Sequence, residues 1–179
     1  MPTSTSCNSK TREPERAAVR VHHGRENAIV NNIFFNSTNI ERSSSVGVFE
    51  IAVKTSSTYN TTANAFSRNV VYLWNATTRS VLYSARDEWR DDALEPVDHN
   101  LYADPFVRLA TLTDGALTPL GDWRNWTTHA GGVYDAHSAI DVNPGFFDIE
   151  GGNLCVNASA PVLRELGFEA LPASACRAC

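Results

Sequence analysis

The chain has 179 residues, which fits one domain of ordinary size, and 42% of them are hydrophobic, so a packed core is expected. Its formal net charge is −5 and no Lys/Arg cluster forms a stripe, which argues against a nucleic-acid partner. No apolar run of about 18 residues occurs, so we expect no membrane span.

The N-terminal segment 1–18 is polar and shows no hydrophobic period, which predicts a disordered or incomplete segment. It lacks an apolar h-region, so the chain as given carries no signal peptide. Residues 19–171 are expected to form the folded body, and residues 172–179 a tail.

Short apolar, β-branched runs separated by polar stretches begin near residue 19 and predict strands rather than long helices. Ile29, Val48, Val70 and Leu101 recur at intervals of roughly 20 to 30 residues, a period typical of solenoids. The predicted strand runs are 28–30, 33–35, 46–53, 69–74, 80–83 and 101–102.

Asparagines stand beside several of these runs, at Asn31, Asn32, Asn69 and Asn100. Asn tolerates left-handed backbone at corners, and stacked Asn side chains can form hydrogen-bonded ladders. These residues either stack from one corner to the next or simply mark turns.

Turn residues interrupt the pattern at 104–132, where Asp114-Gly115, Pro119 and Gly131-Gly132 occur. We expect this stretch to leave the strand stack as a loop with a short helix near Asp122–Trp126. Residues 137–171 are then predicted to return to short strands and turns.

Five blocks in order resemble the right-handed parallel β-helix of the pectate-lyase-like superfamily. They are Val21 to Phe34, Val97-Asp98-His99-Asn100-Leu101-Tyr102, Gly132 to Ser138, Asp141 to Asp148 and Ala158 to Phe168. Asn143-Pro144 departs from the family's usual Asp-Pro pair. The resemblance implies an all-β, right-handed parallel β-helix (solenoid), N-terminally truncated and represented by its C-terminal portion.

The same resemblance implies a carbohydrate-associated protein, a polysaccharide lyase or glycoside hydrolase when full length. Alternatives are a non-catalytic polysaccharide-binding or surface structural protein, or an inactive fragment. The resemblance further implies an extracellular or cell-surface monomer with a polysaccharide or glycan partner. It gives no cofactor, because relatives can bind Ca²⁺ but no ligand set is identified, and this chain alone is expected to be inactive.

Charged side chains that could serve sugar chemistry are few. Glycoside hydrolysis uses two carboxylates, and a lyase uses a base beside a stabilising cation. Structural roles compete with catalysis at each candidate, and Asp135 with His137 would need further ligands to hold a metal, so no metal site is predicted. The weak catalytic candidates are His22, His23, Glu50, Asp98 and His99.

Trp123 and Trp126 are three residues apart, so on a helix they would share a face. They either form a platform for sugar rings or pin the 104–132 stretch to the strands. Cysteines cluster near the C-terminus, which predicts a disulfide from Cys155 to Cys176 or Cys179. Candidate N-glycosylation sites are Asn36, Asn60, Asn75, Asn125 and Asn157.

Overall fold

The computed structural model describes residues 19–22, 24–36, 47–52, 61–73, 80–84, 92–103, 108–111, 117–118, 124–125, 130–149, 151, 153–157, 159–169 and 171–172. The strands in these ranges are β1 Val19–His22, β2 Ala28–Val30, β3 Ile33–Asn36, β4 Gly47–Ala52, β5 Asn64–Ser67, β6 Val70–Leu73, β7 Ser80–Ser84, β8 Leu94–Asp98, β9 Leu101–Tyr102, β10 Arg108–Thr111, β11 Leu117–Thr118, β12 Ala139–Ile140, β13 Phe146–Asp148 and β14 Asn153–Val156. One short helix, α1, spans Pro161–Glu165.

The strands form four sheets of five, four, three and two strands. The orders are β1-β4-β7-β10-β11, β12-β9-β6-β3, β2-β5-β8 and β13-β14. Successive strands of the three larger sheets pair in parallel, whereas β10 with β11 and β13 with β14 pair antiparallel. The strands predicted within 28–35, 46–53, 69–74, 80–83 and 101–102 are present.

The all-β, right-handed parallel β-helix predicted from the sequence is wrong. The sheets are small, they mix parallel with antiparallel pairing, and a helix accompanies them. The recurrent apolar runs indicated strands correctly, but a period in strand spacing does not fix how many strands a sheet contains or how later strands pair. The N-terminal segment 1–18 and the tail 173–179 lie outside the described residues.

Part of the stretch 104–132, which was predicted as a loop, is strand instead, and the short helix predicted there stays a prediction. Residues 108–111 form β10, which pairs in parallel with β7 and antiparallel with β11. Of the predicted helix near 122–126, only residues 124 and 125 are described, and they lie in a turn. The described part of the chain contains no helix long and apolar enough to cross a membrane.

Alternating side chains of β6 and β9 build the core on both faces of their sheet. Val70 pairs with Leu101 and Val71 with Tyr102 in the parallel register, and all four are buried. Val70 and Leu101 belong to one apolar cluster with Val156, Leu163, Leu166 and Phe168. Burying a side chain of this size contributes about 1.5–3 kcal/mol, so the C-terminal segment is held mainly by this cluster.

A ladder of asparagines joins the corners that precede β3, β6 and β9. Asn69 Oδ1 accepts hydrogen bonds from the backbone N–H and Nδ2 of Asn32, at 3.0 and 3.1 Å. Asn100 Oδ1 accepts hydrogen bonds from the backbone N–H and Nδ2 of Asn69, at 3.0 and 3.2 Å. Stacking, one of the two alternatives that the sequence left open, is therefore found at Asn32, Asn69 and Asn100, whereas the Asn31 side chain bonds to the Glu169 backbone. The ladder satisfies buried amides that could not reach water.

The helix α1 was missed at the sequence level, where short strands and turns were expected. Pro161 lies in the first turn of the helix. A backbone N–H there has no intrahelical acceptor, so proline loses no helical hydrogen bond. The helix ends at Glu165, and Gly167 follows the C-cap residue, Leu166, with a φ of +67° that suits glycine. Gly167 N–H donates to the Arg164 carbonyl at 3.1 Å and Phe168 N–H to the Leu163 carbonyl at 2.9 Å, a Schellman motif.

Candidate functional site

The corner between β8 and β9 presents two polar side chains that sequence reasoning named, Asp98 and His99. His99 has a φ of +59°, in the left-handed region, and the next residue, Asn100, is buried as a member of the asparagine ladder. The ladder therefore fixes the corner from inside, while the His99 side chain stays 44% exposed. Arg68 holds the equivalent position before Asn69, with a φ of +53°.

The Asp98 carboxylate is the centre of this corner. Its Oδ1 accepts backbone hydrogen bonds from His137 at 2.7 Å and from His99 at 2.9 Å. Its Oδ2 lies 2.7 Å from His137 Nδ1 and 3.3 Å from His99 Nδ1. One carboxylate therefore binds two amides with one oxygen and two imidazoles with the other.

The pKa of Asp98 is lowered from its ordinary value by these partners. Burial acts to raise the pKa, but hydrogen bonds from the His137 side chain and from the backbone of His137 and His99 outweigh it, aided by the charge of His99. Asp98 is consequently ionised at neutral pH, which is the form that a metal ligand needs.

His99 and His137 stack against each other, with ring centroids 5.0 Å apart and planes at 24°. They come from the corner after β8 and from the turn before β12, and only the fold brings them together. Asp98, His99 and His137 offer three ligand atoms within 4.8 Å of one another, so this Asp98 cluster is a group that could hold a metal ion.

The turn that carries His137 is anchored from inside by Asp135. This buried carboxylate receives hydrogen bonds from Tyr102 Oη at 3.0 Å to each oxygen, from Asn100 Nδ2 at 3.2 Å and from Ser138 Oγ at 2.5 Å. Burial and the Asp135 charge raise the pKa of Tyr102 well above its usual value, so the phenol remains a donor. Arg124 Nε donates to the Asp135 carbonyl at 2.7 Å, and Arg124 Nη2 to that of Ser138.

A groove of about 480 Å³ lies beside the Asp98 cluster. The end of α1 forms one wall, and the corners around Arg68 and Asp98 form the other. The groove is therefore built by segments far apart in sequence, at positions fixed by the asparagine ladder and the Schellman motif. Its lining residues are Ser67, Arg68, Pro96, Asp98, His99, Glu165, Leu166 and Gly167.

The other predicted site residues are not brought to this groove within the described part of the chain. His22 ends β1 opposite Ala52, and Glu50 lies in β4 opposite Arg20 and Tyr83. His23, Trp123 and Trp126 lie outside the described residues. The sequence did not point to Arg68 or Glu165, and it paired His137 with Asp135 rather than with Asp98.

Cys155 is disulfide-bonded, and both predicted partners, Cys176 and Cys179, lie outside the described residues, so the pairing stays a prediction. Asn125 and Asn157 are exposed, and Asn157 Oδ1 accepts a 2.6 Å hydrogen bond from Ser159 Oγ within its own sequon. Asn36 is the last residue of β3, whereas Asn60 and Asn75 are not among the described residues. Nothing described tests whether these asparagines carry glycans.

No family model, curated protein or solved structure matches this chain.

Proposed function

We propose that this protein binds a glycan in the groove between α1 and the Arg68 and Asp98 corners. The observation that carries the proposal is the lining of the groove, in which charged hydrogen-bonding groups stand beside apolar surface. Arg68 supplies donors, Glu165 supplies acceptors, and Pro96 and Leu166 supply apolar contact. Sugars need this combination, because each ring carries hydroxyls at its edge and C–H groups on its faces.

The volume of the groove suits part of a glycan chain. Small-molecule sites occupy about 300–1,000 Å³, and the groove's volume of about 480 Å³ lies within that range. Because Glu165 is exposed, its carboxylate can accept hydrogen bonds from sugar hydroxyls. Arg68 can bind either hydroxyls or the carboxylate of a uronate.

Sequence resemblance and chemistry elsewhere in the chain support the same proposal. The segments Val97–Tyr102 and Gly132–Ser138, which resemble those of polysaccharide-acting proteins, carry the Asp98 cluster. The disulfide at Cys155 and the exposed sequon asparagines Asn125 and Asn157 fit an extracellular or cell-surface location. We propose that location, and a monomer, together with glycan binding.

Glycoside hydrolysis is the second candidate, and the shared groove of Asp98 and Glu165 favours it. A pair of carboxylates can divide the roles of proton donor and nucleophile or base across a glycosidic bond. Asp98, with its lowered pKa, would be the ionised partner, and Glu165 would be the second carboxylate. Binding without turnover is the first candidate because it requires only the hydrogen-bonding and apolar groups that line the groove.

Binding is tested by isothermal titration of the full chain with a panel of neutral and uronate-containing oligosaccharides. We expect at least one to bind with 1:1 stoichiometry, and Arg68→Gln and Glu165→Gln each to weaken it about 10-fold, the cost of one or two hydrogen bonds. Product analysis of the same mixtures detects hydrolysis or lyase turnover.

Matched controls are Arg25→Gln and Glu169→Gln, which change exposed residues outside the groove lining. These controls should bind as the parent chain does. The proposal is overturned if no oligosaccharide binds, or if the groove variants bind as tightly as the controls do.

A further inference from the structure

We propose that Asp98, His99 and His137 bind one zinc ion through Asp98 Oδ2 and the two imidazole Nδ1 atoms. The proposal goes beyond glycan binding and does not depend on it. Nitrogen and carboxylate donors are the ligands that zinc takes in sites with three protein ligands, where a fourth position is left to water or substrate.

The distances between the donor atoms fit coordination of a single shared ion. Zinc lies about 2.0–2.2 Å from imidazole nitrogen and from carboxylate oxygen. Two ligands at that length whose atoms are 2.7 Å apart subtend about 80° at the metal, and two that are 3.3 Å apart subtend about 100°. The Asp98–His99 pair is therefore close to tetrahedral, and the Asp98–His137 pair needs to open by about 0.7 Å.

Asp98 is held in the orientation that a metal ligand needs. Its Oδ1 is occupied by the backbone N–H groups of His99 and His137, which leaves Oδ2 facing both imidazoles. Hydrogen bonds of this kind to a ligating carboxylate orient it and raise metal affinity. Because these amides are those of His99 and His137 themselves, the same hydrogen bonds fix the two imidazoles relative to the carboxylate.

The cluster is open to ions from solvent. Asp98 is 18% exposed and His137 is 69% exposed, so an ion can approach from the His137 side without unfolding. Asp98 and His99 also line the groove, which places the ion on its wall. A hydrogen-bonded cluster that binds no metal is the competing explanation for the same side-chain positions.

The test is isothermal titration of the full metal-free chain with zinc chloride, combined with visible absorption after cobalt substitution. We expect one site per chain and cobalt d–d bands typical of mixed nitrogen and oxygen ligation. Asp98→Asn and His137→Gln should each weaken zinc binding about 100-fold or more, beyond the 10–100-fold that losing a hydrogen-bond partner of a ligand costs.

Controls are Asp141→Asn, an exposed carboxylate outside the cluster, and His22→Gln, in a different sheet. Both should bind zinc as the parent chain does. Because His137 is exposed, His137→Gln should fold normally, which circular dichroism verifies. The proposal is overturned if zinc does not bind at 1:1 stoichiometry, or if the cluster variants match the controls.

The zinc and glycan proposals can fail separately. Zinc titration involves no sugar, and oligosaccharide titration in the presence of a chelator involves no metal. Glycan binding without zinc binding overturns the metal proposal alone, whereas zinc binding without glycan binding overturns the proposed function alone.

Discussion

Asp98 and His137 lie 39 positions apart in the chain, and their side chains meet at 2.7 Å between Oδ2 and Nδ1. The backbone N–H of His137 donates to the other oxygen of the same carboxylate, also at 2.7 Å. Two hydrogen bonds from one residue thus tie the end of β8 to the turn before β12. The pairing makes Asp98 both a stabilising contact and the centre of the candidate site.

Asp98→Asn should lower stability at neutral pH by about 1–2 kcal/mol, because charge-assisted hydrogen bonds become neutral ones. The folded-state pKa of Asp98 lies below its unfolded value of about 3.9. Its contribution is therefore present above about pH 4 and is lost as the pH falls through the folded-state pKa. In urea unfolding measured from pH 7 to pH 2, the variant should lose less free energy of unfolding than the parent chain does.

The matched control for this pH series is Asp141→Asn, at an exposed carboxylate. Equal acid sensitivity in Asp98→Asn and the parent chain would contradict the assigned role of Asp98.

Asn100→Ala should destabilise the protein by about 3 kcal/mol. Asn100 is fully buried, its Oδ1 receives two hydrogen bonds from Asn69, and its Nδ2 donates to the Phe66 carbonyl and to Asp135. Each buried group left without a partner costs about 1–3 kcal/mol. Asn32→Ala, at the half-buried end of the ladder, should cost about 1 kcal/mol. Denaturant unfolding of both variants measures the difference, and equal costs would contradict the ladder's role.

Tyr102→Phe should cost about 1.5–3 kcal/mol at pH 7, because it removes a hydrogen bond to a buried carboxylate. The folded-state pKa of Tyr102 is raised, so its contribution is present below its unfolded pKa of about 10 and is lost as the pH rises toward the folded-state value. The variant should lose less stability than the parent between about pH 9 and pH 11. Thermal unfolding of both proteins across that pH range checks the difference. An equal loss of stability in the variant and the parent would argue against the raised pKa of Tyr102.

Gly167→Ala should destabilise the protein by about 1 kcal/mol through backbone strain at a φ of +67°. Steric contact adds little, since the nearest atom to an added Cβ is Arg68 Cδ at 3.5 Å. Gly167→Asn should cost less, because Asn tolerates this conformation better. Differential scanning calorimetry of both variants gives the comparison, and an alanine variant as stable as the parent would rule the strain out.

Part of the fold could be predicted from local patterns. β-branched runs such as Val70–Leu73 predicted strands, and the asparagines beside them indicated corners, with a ladder as one of two alternatives. Strands with weaker signals were missed, including β5 at Asn64–Ser67 and β8, which contains Pro96. The overall architecture was wrong because pairing and sheet size depend on contacts between distant segments, which spacing along the chain does not determine.

The candidate site was likewise predicted only in part. Asp98 and His99 were named because their side chains could serve sugar chemistry. Their meeting with His137 could not be predicted, since it depends on the parallel pairing of β9 with β12. Asp135 was paired with His137 because the two are close in sequence, yet its side chain is buried against Tyr102.

An anomalous difference map collected at the zinc absorption edge, from zinc-soaked crystals of the full chain, tests most directly whether the Asp98 cluster binds metal. We predict a single strong peak within about 2.3 Å of Asp98 Oδ2 and of Nδ1 of both His99 and His137. A map with no peak at these three residues, or with its strongest peak at another residue, would contradict the metal site.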